Sequence, residues 1–225
     1  GERPGWSTAT GEANRDVAFV VELVAATGEE ICIDEARVYA GGMSNGGLMS
    51  SALACEHSDV FAAVAPVAGF QTVPDCADPS PLILFYGTHD AVLPWAGGVG
   101  SALGAVGSGE IPDIPEPEEP DLTADPGPFA PVPVNITEWA SLAGCEPEPT
   151  TETVSSEVER WVYSGCASGE VEVYVVDGGG HSWPGNEGMA TIDDPVIAAV
   201  VGKTTLDISA TELAWDYFAG HPMAS

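Results

Sequence analysis

Ser44 stands in Gly42-Met43-Ser44-Asn45-Gly46, between a short β-rich run at Arg37–Gly42 and a helical stretch at Leu48–Glu56. A serine on a sharp strand–turn–helix junction exposes its hydroxyl, and the tight turn demands small neighbours, which Gly42, Gly46 and Gly47 supply. The following helix N-terminus favours negative charge on an attacked carbonyl. A serine hydroxyl is a poor nucleophile without a base, so a histidine must reach it. Four are available. His57 closes the helix about three turns away, His221 lies in a C-terminal His-Pro tail, and His89 adjoins Asp90. His181 lies in Gly178-Gly179-Gly180-His181-Ser182-Trp183-Pro184-Gly185, directly after an apolar run at Val171–Val176. Loops that follow strand C-termini build the site in open α/β sheets, which selects His181. The acid that orients it is expected to be Asp90, in Gly87-Thr88-His89-Asp90 after the run Leu82–Tyr86. Asp177, Asp193 and Asp194 are rivals nearer in sequence.

The elements that must position these groups are legible as periodicity. Asp16–Thr27 reads as an amphipathic helix with Val17, Val20, Val21 and Val24 on one face. Apolar runs at Phe61–Val67, Leu82–Tyr86, Val158–Tyr163 and Val171–Val176 read as strands buried on both faces. Alternating with helices, they predict an α/β fold with a mostly parallel sheet. Asn135 with Glu138, and Ser209 with Glu212, read as helix caps. The helix after Ser209 presents Leu213, Ala214, Tyr217 and Phe218 to the core and stops at Gly220 and Pro222. The whole chain, 1–225, reads as a single domain interrupted by a Gly-, Pro- and acid-rich insertion at 97–133. Its prolines oppose helix and its charge opposes collapse, which predicts a mobile loop, either at the mouth of the site or simply solvated. Neither GxGxxG nor a phosphate loop is present, since Ile197 stands where the latter would need glycine before Gly202-Lys203-Thr204.

Composition narrows the partners. The 225 residues carry 35 Asp+Glu against 5 Lys+Arg, a formal charge of −30, with no Lys or Arg between Arg37 and Arg160. Such a surface repels phosphate backbones and anionic lipid, so neither nucleic acid nor membrane is expected as a partner. It fits a saline habitat or an acidic secreted protein equally well. No apolar run approaches the ~18 residues of a membrane span. The five cysteines, Cys32, Cys55, Cys76, Cys145 and Cys166, lack zinc spacing, so no metal site is expected. In an oxidising setting four would pair. Cys145 follows a helical segment and Cys166 ends a strand, which makes them the first pair. Cys55 with Cys76 competes with Cys32–Cys55 for the second, and five reduced thiols is the remaining option.

Taken together, Gly41-Gly42-Met43-Ser44-Asn45-Gly46-Gly47, Leu53-Ala54-Cys55, Ala65-Pro66-Val67-Ala68-Gly69, Gly87-Thr88-His89-Asp90 and Gly179-Gly180-His181-Ser182-Trp183-Pro184-Gly185 resemble the secreted polyhydroxybutyrate depolymerase and feruloyl esterase family. Ala210-Thr211-Glu212, Phe218…His221-Pro222, Trp139…Gly144-Cys145 and Tyr163…Gly165-Cys166 extend the resemblance from about Asp16 to Pro222. It implies an α/β-hydrolase that cleaves carboxylic esters through an acyl-enzyme, with Ser44, Asp90 and His181 as the triad and no cofactor. It also implies the Asn45 N–H as an oxyanion donor, a Cys145–Cys166 disulfide and secretion. The flat rings of Trp95 and Trp183 suit an acyl platform or, equally, core and rim packing. The expected substrate is an ester, small or polymeric: feruloyl or acetyl groups on plant polysaccharide, or alternatively a polyhydroxyalkanoate or aromatic polyester. A hydrolase-like domain that only binds, and a peptidase or acyltransferase on the same triad, are the other classes. The start of the chain departs from the family. Only 43 residues precede Ser44, and nothing in Gly1–Asn14 resembles the His-Gly turn that supplies a second oxyanion donor. The strand before Ser44 is therefore expected to have an open outer edge, as in a fold truncated on its N-terminal side, unless another segment fills the gap.

Overall fold

The computed structural model describes residues 5–7, 14–105, 110–127 and 129–223. Most of Gly1–Asn14, the segment that lacks a His-Gly turn in its sequence, and residues 106–109 and 128 of the insertion lie outside the described residues. Among the described residues six strands form one sheet: β1 (Tyr39–Met43), β2 (Ala63–Val67), β3 (Leu82–Gly87), β4 (Thr150–Thr153), β5 (Val158–Tyr163) and β6 (Val171–Val176), in the order β1-β2-β3-β6-β5-β4. The β1–β2, β2–β3 and β3–β6 pairs are parallel, and β5 and β4 continue the sheet antiparallel. Among the described residues β1 is the outermost strand on its side of the sheet.

The core follows from side-chain alternation. Every residue of β2, β3 and β6 is buried. Leu82, Leu84 and Tyr86 face one layer with Val171, Val173 and Val175, under α2 (Asn45–Glu56), α3 (Val132–Leu142) and α5 (Pro195–Val201). Ile83 and Phe85 face the other with Tyr174 and Val176, under α6 (Ala210–Gly220). A two-residue period with both faces covered is what a parallel sheet requires, and burying a side chain such as Phe85 contributes about 2–3 kcal/mol. α1 (Arg15–Glu30), capped by Asn14, lays Val17 against Met49, Leu53 and Phe61. α4 (Glu187–Ala190) is a single turn after the His181 loop.

One cap differs from expectation. Ser209 caps α6, its Oγ accepting the Glu212 N–H, but Asn135 caps nothing. α3 starts earlier, with Pro131 as N-cap and Pro133 in its first turn, a place where a missing N–H costs no hydrogen bond. Asn135 is instead fully buried. Its Oδ1 accepts from Thr72 Oγ1 (2.8 Å) and the Gly127 N–H (2.9 Å), and its Nδ2 donates to the Gly127 carbonyl. It ties the end of the insertion to the core, and in the folded chain Asn135-Ile136-Thr137 offers no surface acceptor for a glycan. The insertion has no helix or strand among its described residues before α3, apart from a 3₁₀ turn at Ser101–Gly104.

Cys145–Cys166 and Cys55–Cys76 are disulfides, and Cys32 is free and exposed. Each bridge closes a separation of 21 residues, for which loop-closure entropy gives roughly 3 kcal/mol. Arg160 on β5 pairs bidentately with the buried Glu172 on β6 (2.7 and 2.9 Å), and this contact holds the guanidinium firmly charged. No described helix is long and apolar enough to cross a membrane. Among the described residues no group of three or more His, Cys, Asp or Glu is placed to hold a metal ion.

Candidate active site

Ser44 follows β1 directly, with φ 58° and ψ −121°. A left-handed serine is strained by about 1–3 kcal/mol and persists only where its surroundings fix it. Here its N–H donates to the Val67 carbonyl (2.8 Å), and its own carbonyl accepts from Gly47 and Leu48 at the start of α2. Ala68, at the end of β2, is also left-handed, with φ 48°. The turn closes through close backbone approach. A Cβ on Gly42 would lie 2.6 Å from the Gly46 backbone, one on Gly47 2.3 Å from the Gly69 carbonyl, and one on Gly69 2.1 Å from the Ser44 carbonyl. Gly46, expected to be small for the same reason, has open space at its Cβ position. Gly69 is the glycine whose steric role spacing alone does not reveal. Gly69→Ala is expected to displace Ser44 and lower kcat by roughly 100-fold, with melting shifted by far less than loss of the fold would require. Steady-state kinetics beside a thermal melt check it.

Asp90 and His181 come together 91 residues apart in sequence. Asp90 Oδ2 accepts from His181 Nδ1 at 2.8 Å, and Oδ1 accepts the N–H groups of Val92 and Leu93, each at 2.8 Å. The Asp90 side chain is fully buried and that of His181 is 9% exposed. A carboxylate accepting at Nδ1 places the proton there and leaves Nε2 as the free base. Beneath the pair, Tyr86 donates to the Leu93 carbonyl, and burial, reinforced by the Asp90 charge, pushes its phenol well above the usual range. The two loops lock to each other: the His89 N–H donates to the Gly179 carbonyl, and a Cβ on Gly87 would meet that oxygen at 2.2 Å. Behind His181, Gly180 and Ser182 both donate to the Lys203 carbonyl, and the Lys203 ammonium pairs with Glu157.

The rivals serve elsewhere. Asp194 caps α5, accepting from Val196 and Ile197. Asp177 and Asp193 are exposed, the former accepting from Thr88 Oγ1. His57 pairs loosely with Asp59, His89 contacts Thr88, and His221 stacks on Tyr217. Ser44, Asp90 and His181 thus follow β1, β3 and β6 at one edge of the sheet. Among the described residues the Ser44 hydroxyl has no hydrogen-bond partner, His181 included, a common state of such a site without substrate. The N–H groups of Asn45 and Gly46, first in α2, likewise have no acceptor there.

The two tryptophans part company. Trp95 packs near Tyr86 and edge-on to Trp161 and lines a cavity of about 260 Å³ with Asp90, Pro94 and residues 114–118 of the insertion. Trp183 lies on the opposite layer, its Nε1 donating to Thr211 Oγ1.

Against known proteins, residues 5–76 match the model of the prolyl oligopeptidase family. Feruloyl esterase B of Piromyces equi is 32% identical over 176 residues, covering 74% of this chain and 29% of that protein. The putative esterase NocK of Nocardia uniformis subsp. tsuyamanensis is 29% identical over 238 aligned positions, 98% of this chain and 63% of its own length. Feruloyl esterase C of Emericella nidulans is 37% identical over 102 residues, 44% of this chain and 36% of that one. The chain therefore spans less than two thirds of the length of these relatives. Among solved structures, an acetyl xylan esterase from Aspergillus awamori superposes with a TM-score of 0.50 at 14% identity, over 80% of this chain and 69% of that one. The parallel sheet and the left-handed serine after β1, with the acetyl xylan esterase superposition, give the chain an α/β-hydrolase fold, and its sequence is similar to these esterases.

Proposed function

We propose that the chain is a serine carboxylesterase working through an acyl-enzyme. The observation that carries this reading is the buried Asp90–His181 pair on the same sheet edge as the strained Ser44 turn. Ser44 Oγ attacks the ester carbonyl while His181 Nε2 takes its proton. Asp90 keeps the imidazole in the tautomer that can do so and stabilises the imidazolium. The negative oxygen of the tetrahedral intermediate faces the unpaired N–H of Asn45, backed by the N-terminus of α2. His181 then returns the proton to the departing alcohol, and water, activated by the same base, releases the acid.

The substrates are feruloyl or acetyl esters of plant polysaccharide, a reading supported by the names of the relatives and of the structural neighbour. Trp95 and residues 97–101 and 114–118 of the insertion line one cavity with Asp90, which supports a place for them beside the substrate, although Ser44 and His181 do not line that cavity. Two disulfides support an extracellular setting. The test has two arms. Release of ferulate from feruloylated arabinoxylan and of acetate from acetylated xylan is expected to exceed release from polyester film, and a fluorophosphonate probe is expected to label Ser44. Polyester release above both would reassign the substrate. An unlabelled Ser44 would overturn the esterase reading.

A further inference from the structure

The stretch Gly5–Ser7 lies 39 residues upstream of the turn in sequence, yet its backbone is fastened to Asn45. The Trp6 N–H donates to Asn45 Oδ1 at 2.6 Å, and Asn45 Nδ2 donates back to the Trp6 carbonyl at 3.0 Å. One side-chain amide thus satisfies both main-chain groups of a single residue, as a neighbouring strand would. The approach is close enough that a Cβ on Gly5 would sit 3.3 Å from Asn45 Oδ1. The far side of the stretch is held too, since the Ser7 N–H donates to Asp16 Oδ2 and Asn14 Nδ2 donates to the Ser7 carbonyl. Asn14 and Asp16 are the cap and first turn of α1. The stretch therefore bridges the N-termini of two helices, one of which carries the turn.

The N–H groups of Trp6 and Ser7 are spent in these contacts, so neither is free to face an oxyanion. What the stretch offers is rigidity. Asn45 is the first residue of α2, and its own N–H has no acceptor among the described residues. We infer that Asn45 has two roles, and that its side chain is a positioning group: by clamping Trp6 it fixes the plane of the peptide whose N–H stabilises the tetrahedral oxyanion. The inference rests on the esterase reading above. A hydrogen-bond donor aimed at developing charge acts mainly on the transition state, so the clamp belongs to kcat and not to KM.

Asn45→Ala keeps the main-chain N–H and removes the clamp. It is expected to lower kcat about tenfold on a chromogenic acetate ester with KM moved less than threefold. Trp6→Pro deletes the partner N–H and is expected to do the same, and the double variant is expected to be no slower than either single one, since all three lack one shared contact. Asn45→Asp keeps the acceptor but loses the donor and sets a negative charge beside the oxyanion, so its kcat is expected to fall below that of Asn45→Ala. Thermal melts accompany each variant. Wild-type turnover with Asn45→Ala within twofold of it, or losses that multiply in the double variant, would overturn the clamp alone. A wild-type chain that neither turns over ester nor takes the fluorophosphonate label overturns the esterase reading and the inference built on it.

Discussion

Replacing Ser44 by alanine is expected to cut ester turnover by about five to six orders of magnitude, to the residual rate that binding and oxyanion donors sustain alone. The size of the effect follows from the division of labour. The Asp90–His181 pair is assembled independently of Ser44, with no hydrogen bond linking them among the described residues, so the fold does not need the hydroxyl. Without Oγ the base has nothing to deprotonate, and no covalent intermediate forms. Alanine meets the same left-handed backbone at φ 58° as serine does, so the melting temperature is expected to stay within a few degrees. Turnover within twofold of the parent would refute the assignment. A collapsed melt would signal loss of the fold, and a second variant, Ser44→Gly, which tolerates positive φ, then carries the same kinetic comparison.

The second large effect is expected for Asp90→Asn, a loss of roughly 10⁴-fold in kcat. The change is nearly isosteric, and a rotamer that keeps Oδ1 on the Val92 and Leu93 N–H groups points the new NH₂ at His181. An amide donor facing Nδ1 forces the ring proton onto Nε2, where the base is needed. The alternative rotamer keeps an acceptor on Nδ1 but turns the NH₂ against two backbone donors, leaving both unsatisfied in a buried site. Either way catalysis falls, and the cost is in tautomer and charge, not in shape. Labelling by fluorophosphonate is expected to slow in parallel with ester hydrolysis. Nitrogen NMR of His181 reports which rotamer is taken, and a kcat within tenfold of the parent would sink the explanation.

Legibility in the sequence tracked burial. β3 and β6 are apolar at almost every position and were readable as runs, and α2 as the helix behind a serine turn. β4, Thr150–Thr153, has all four residues exposed, so no hydrophobic signal marks it; only its pairing with β5 makes it a strand. α5 carries a fair signal, Asp194 followed by Pro195, although the same aspartate stands among the rivals for the catalytic acid. The Asn135–Glu138 pair imitates a cap because spacing does not reveal that Pro131–Pro133 has already begun the helix. At the site, residue types and order pointed to Ser44, Asp90 and His181. The supports did not show: the Val92 and Leu93 amides are backbone groups, Gly69 acts through a contact with a carbonyl, and the partner that the Asn45 side chain clamps is the main chain of Trp6. Groups that every residue possesses leave no trace in a list of side chains.

The two covalent cross-links share a location. Cys55 closes α2 at the end farthest from Ser44, about 16 Å along the helix axis, and Cys166 lies just beyond Tyr163, which pairs with Val171 at the start of β6, opposite the end that leads to His181. The molecule is bolted at its base, while its catalytic rim is joined only by hydrogen bonds and packing. A reducing agent therefore attacks durability before chemistry. Freed thiols would let heat unravel the chain sooner, yet whatever fraction stays folded would work at full speed.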